Sequence, residues 1–173
     1  MRTKLFCATL GILIVFAAPA FFPQGMGAQE AAGEQHAWKT YTNVRFQYSI
    51  CYPTDLLAPQ GEAENSDGKK FIGQDGAQLI VFGSNNALQQ TLKERLSETS
   101  ARLTGKSGKV TYQVLKPKWF VVSGVNGPSI FYTKVFFSHE QFKSFELSYS
   151  QSSAAKYKAL IGRFASCFAD LAQ

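Results

Sequence analysis

The sequence predicts an α+β domain: an antiparallel sheet flanked by two helices, in three layers with one helix on each face. Three observations carry the prediction. The apolar patterns run strands, helix, strands, helix rather than in alternating strand-helix units. The links between the later strands are too short for crossovers and suit an antiparallel meander. Trp119 to Val122 and Phe131 to Phe137 are apolar on both alternating faces, so each side of the sheet needs a cover.

The chain opens with Arg2 and Lys4, runs uncharged from Leu5 to Phe22, then meets Pro23, Gly25 and small residues. That order is the plan of a secretory signal, so residues 1–28 read as a signal peptide, with cleavage after Ala20 or near Gly27 or Ala28. An apolar run of about 18 residues is also at the lower edge of a bilayer span, which keeps an uncleaved anchor as the rival reading. Residues 29–37 are small and polar, a flexible lead-in, and residues 38–173 form one domain, long enough for a proper core. No later segment is long and apolar enough to span a membrane.

Within the domain, Phe46, Tyr48, Ile50 and Tyr52 alternate with other residues up to Pro53, the pattern of a half-buried strand. Residues 55–68 turn polar and read as a solvated loop. Asp75-Gly76 tolerates the positive φ of a tight turn and joins Lys69–Gln74 to Ala77–Gly83 as a hairpin. Asn85 or Asn86 caps a helix to about Leu103, with Leu88, Leu92, Leu96 and Leu103 on one stripe and Gly105 as the stop. Four strands follow, Val110 to Leu115, Trp119 to Val125, Ile130 to Phe137 and Phe142 to Tyr149. Ser152 or Ser153 then caps a last helix whose apolar face is Tyr157, Leu160, Ile161, Phe164, Phe168 and Leu171.

Without Cys7 of the leader, the domain keeps Cys51 and Cys167, an even pair that suggests one disulfide in an oxidising compartment. The bridge would place the last helix on the Cys51 side of the sheet; two buried free thiols are the alternative. Without Arg2 and Lys4, 16 basic residues stand against 12 acidic, a net charge of +4. A surplus of this size permits anionic partners but lacks the concentrated basic face that nucleic acid requires.

The order of elements, with Arg45-Phe46-Gln47-Tyr48-Ser49-Ile50-Cys51-Tyr52-Pro53 as the opening strand, resembles the PsbP-like fold. It also resembles small secreted bacterial proteins of unknown function that share this aromatic strand and an Asn-x-Asp-Gly stretch, here Asn65-Ser66-Asp67-Gly68. The resemblance implies an antiparallel sheet between helices used as a binding or accessory scaffold, with no shared catalytic site to carry over.

Several stretches invite a chemical reading. Thr104-Gly105-Lys106-Ser107 looks like the tail of a phosphate-binding loop, but Ser100 stands where that loop needs glycine and a helix precedes it instead of a strand. His36 and His139 are dispersed and no Gly-x-Ser-x-Gly is present, so neither a hydrolytic triad nor a zinc ligand set is expected. Glu62, Glu64, Asn65 and Asp67 offer closely spaced oxygens for a hard cation, but without EF-hand spacing they read better as a loop with a Ser-Asp-Gly turn. Lys106 and Lys109 gather at one turn and Lys116 and Lys118 at another, the latter beside Trp119. Most turn lysines serve solubility; the functional alternative is an anionic-ligand contact at Lys116, Lys118 and Trp119.

These readings converge on a non-catalytic, periplasmic or secreted binding or accessory protein without a cofactor. Its expected partner is an unknown envelope protein or anionic envelope ligand. The alternatives are an enzyme assembled from dispersed carboxylates and lysines, with Glu62, Asp67, Glu140 and Glu146 as the available acids, and a secreted inhibitor or effector.

Overall fold

A computed structural model describes residues 35–172. The leader and most of the lead-in lie outside the described residues. Ten strands and two helices follow in order: β1 (Trp38–Asn43), β2 (Tyr48–Pro53), β3 (Ala58–Glu62), β4 (Gly68–Ile72), β5 (Gln78–Asn85), α1 (Leu92–Thr104), β6 (Lys109–Lys116), β7 (Trp119–Asn126), β8 (Ser129–Ser138), β9 (Gln141–Ser150), α2 (Ala154–Cys167) and the short β10 (Ala169–Asp170).

A seven-stranded sheet in the order β3-β4-β5-β9-β8-β7-β6, antiparallel throughout, forms the middle layer. Alternation splits its apolar residues between two cores. On one face Phe120, Val122, Phe131, Val135 and Phe142 pack against Leu92, Leu96 and Leu103 of α1. On the other, Leu79, Val81, Phe145, Leu147 and Tyr149 meet Tyr157, Leu160 and Phe164 of α2. The expected α+β arrangement with a helix on each face is therefore present. What the sequence pattern did not reveal is a second sheet, β1-β2-β10, which shares the α2-side layer through Tyr48, Ile50 and Tyr52.

Three expectations about local structure are corrected, and β1 is added: among its apolar residues only Trp38 and Tyr41 pack against the core, so its alternation is faint. Residues 55–68 are not wholly a loop: β3 pairs with β4 although every one of its residues is exposed, since an edge strand needs no apolar face. Helix α1 starts at Leu92, capped by Thr91 and not by Asn85 or Asn86. Thr91 and Glu94 form a reciprocal capping box, while the Asn86 side chain bonds Gln90 in a separate turn and Leu88 is 79% exposed. The last helix ends at Cys167, so Phe168 reaches the core from beyond it and Leu171 is half-exposed.

Cys51 lies in the small sheet, so the expected relation to one face of a single sheet does not apply. Instead α2 packs beside β2, and its final turn brings Cys167 to Cys51 with Cα atoms 5.8 Å apart, a disulfide separation. Phe46, in the β1–β2 turn, lies on the backbone of Gly83. A Cβ at that glycine would stand 2.2 Å from the ring.

Candidate functional site

Among the described residues, the large sheet has two open edges, β3 and β6. β3 is five residues long, carries Pro59 and has an irregular register with β4, all of which discourage further pairing. β6 is eight residues long, and of its side chains only Val114 is half-buried. Val110, Tyr112 and Leu115 are 36%, 56% and 43% exposed along an open row of backbone groups, Val110 and Leu115 on the α1 side of the sheet and Tyr112 on the other. A register shift between Val110 and Tyr112 bulges the strand at its start, leaving Tyr112 to Lys116 regular.

Register fixes which side chains share a side. Lys116 pairs with Trp119, Val114 with Val121, Tyr112 with Ser123 and Lys109 with Val125, so Lys109, Tyr112, Val114 and Lys116 all stand on the α2 side of the sheet. Lys118 occupies the two-residue turn between β6 and β7. Of the expected ligand trio, the structure thus sets Lys116 directly across from Trp119 and Lys118 one residue before it. The indole is already engaged: Lys134 lies 5.6 Å from the Trp119 ring and 4.6 Å from that of Phe136, and donates to the Ala165 carbonyl at 2.7 Å. Burial pushes the Lys134 ammonium pKa down. Among the described residues, Lys106, Lys109, Lys116 and Lys118 make no ion pair.

The acidic loop is occupied by its own neighbours. Tyr41 donates its hydroxyl to Glu62, which also pairs with Lys69 at 3.2 Å. Burial, and then the hydrogen bond to that carboxylate, push Tyr41 up to about 12. Asn65 donates to Asp67 at 2.7 Å, Tyr48 donates to the Asp67 carbonyl at 2.9 Å, and Arg45 donates to the Asn65 carbonyl. Glu64 points to solvent. No group of three His, Cys, Asp or Glu placed to hold a metal occurs among the described residues.

The four dispersed acids do not share one site. Glu146 lies on the α1 side, bound by Arg102, whereas Glu62 lies on the opposite side of the sheet. Glu140 sits with His139 in the β8–β9 turn, both with positive φ. A different pair does converge: Asp55 and Asp75, with Lys156 and Tyr157, line a cavity of about 320 Å³. Asp55 accepts from His36 at 2.6 Å, so His36 is held against the fold and not loose in a lead-in; that bond lowers the Asp55 pKa. Burial opposes ionisation of Asp75, but bonds from Lys156, the Ala77 amide and Tyr157 outweigh it and hold the carboxyl at about 2. Both carboxylates are thus kept ionised, the opposite of what a neutral-pH general acid needs.

Two clusters escaped the sequence reading. Asp75 was visible only as a turn residue, with nothing to announce Lys156 and Tyr157. Lys143, fully buried, pairs with Asp170 and donates to Ser138 at 3.0 Å. Its signal was available: in β9, Lys143, Phe145, Leu147 and Tyr149 alternate onto one face, so a lysine at a core position demands a buried acid.

No protein-family model matches the chain, and no curated protein sequence matches it. Among solved structures it is similar to cyanobacterial PsbP (CyanoP) from Synechocystis sp. PCC 6803, at a TM-score of 0.58 and 14% identity over 84% of this chain and 98% of that one. The fold is PsbP-like. At this identity the likeness extends to the PsbP-like architecture alone, and function has to be argued from this chain's own surfaces. No helix of the described residues is long and apolar enough to cross a membrane.

Proposed function

We propose that this chain is a non-catalytic, exported binding or accessory protein of the periplasm or the extracellular space, and that it engages an envelope partner through the β6 edge. The observation that carries the reading is a contrast. The acidic loop, the Asp75 cluster and the Lys143–Asp170 pair are bonded within the fold, whereas among the described residues β6 offers open backbone, exposed Val110, Tyr112 and Leu115, and lysines at both ends that make no ion pair. Open edges of this kind bind by adding a strand. Export rests on the leader sequence and on the paired cysteines. An enzyme reading would draw on the Asp55–Asp75 cavity, whose carboxylates are both held charged.

The test is site-specific photo-crosslinking in cells, with the crosslinker at Tyr112 or, as a control, at Gln60 on the β3 edge. The expected outcome is one reproducible adduct from position 112 and none from position 60. Loss of the reading would follow from no adduct at 112, or from equal capture at both edges.

A further inference from the structure

The lysines of β6 say more than that the edge is open. Lys109 and Lys116 lie on the same side of the sheet, bracketing Tyr112 and Val114. Seven residue steps separate them, one of them taken up by the bulge, so about 20 Å along the strand. Neither is paired within the described residues, and Lys106 and Lys118 extend the positive charge past each end.

This arrangement selects among occupants. If a second copy added its own β6 antiparallel, Lys109 of one chain would face Lys116 of the other at both ends of the pairing. Parallel pairing would set each lysine beside its own counterpart. Like charges directly opposite are destabilising, and edge lysines are a known device against self-association. A strand with acidic residues at those positions would gain where a second copy loses.

We propose that the β6 edge takes an extended segment of another protein, apolar or β-branched at its centre and acidic at both ends, as an eighth strand of the large sheet. The central residues would lie against Tyr112 and Val114 on one side and Leu115 on the other, and the flanking carboxylates against Lys109 and Lys116. This rests on the reading of β6 as the binding edge, and it adds the chemical class of the partner.

The probe is a synthetic peptide of about nine residues, alternating valine and threonine with aspartate at both ends, long enough to match the eight of β6. Its counterpart carries lysine at the ends. Each is titrated into the isotope-labelled protein as recovered after export, and backbone amide shifts are followed. The acidic peptide should shift Tyr112 to Lys116 and bind about tenfold more tightly than the basic one, a difference of ~1.4 kcal/mol. The double variant K109E/K116E changes two exposed side chains, and unchanged circular dichroism verifies its fold; its preference should invert. The proposal is overturned by binding that ignores the flanking charge, by no binding of either peptide, by shifts mapping elsewhere, or by dimerisation through β6 at the same concentration. Crosslinking at Tyr112 alongside any of these would remove the acidic-strand inference and leave the edge reading intact; absence of crosslinking would remove the edge reading itself.

Discussion

At Asp75 a single carboxylate ties the β4–β5 turn to the start of α2, accepting from Lys156 at 2.9 Å, Tyr157 at 3.0 Å, Ser153 at 3.2 Å and the Ala77 amide at 3.2 Å. Its folded pKa, about 2 against a reference of 3.8, is depressed, so its contribution is complete above the unfolded value and fades as pH falls from about 4 to 2. The shift sets a ceiling of ~2.4 kcal/mol; with a quarter of the side chain exposed, about 1–2 kcal/mol is the expected contribution. Asp75→Asn should therefore lower urea-measured stability by that amount at pH 7, with the gap closing towards pH 2. The turn itself was legible, because Asp-Gly at that position has a local cause. Lys156 was not, since a contact over 81 residues leaves no trace in local spacing.

The elements with a strong period were legible: the β4–β5 hairpin, the β6-to-β9 meander and the existence of both helices, though not the start of α1 or the end of α2. Those held by their neighbours were not. β3 has no buried residue and β10 has two residues, so neither carries a pattern of its own. β10 is held through Asp170, whose carboxyl burial disfavours ionising but which Lys143 and Ser138 keep charged, its pKa lowered. The pair is 0% and 8% exposed, so removing one partner strands a buried charge. Lys143→Met is expected to cost about 3–5 kcal/mol, and Lys143→Met with Asp170→Leu much less, in a chemical-denaturation cycle. An equal loss for single and double variants would show that the ion pair is not what fastens the tail. At Gly83, substitution by alanine should cost about 1–3 kcal/mol, because the Phe46 ring occupies the space a Cβ needs; thermal unfolding measures it.

Across the whole molecule, the middle sheet is covered on one face by α1 and on the other by α2 with the small sheet, and the Cys51–Cys167 bridge joins two elements of that second cover. Spanning 116 residues, it has a chain-entropy ceiling of roughly 4–5 kcal/mol. The double variant C51A/C167A should lose about 2–4 kcal/mol, and thiol titration of the unreduced, denatured protein recovered after export, without Cys7, should find no free cysteine. Fold class was legible because it follows from the order and period of elements, which local chemistry dictates. The proposed binding edge was only half legible: the sequence displays the lysines, but which strand ends the sheet depends on topology. Amide hydrogen exchange, with and without cell-envelope extract, tests the edge most directly. The account predicts slowed exchange concentrated at Tyr112 to Lys116 when extract is present; unchanged β6 exchange, or protection centred on β3 or the acidic loop, would contradict it.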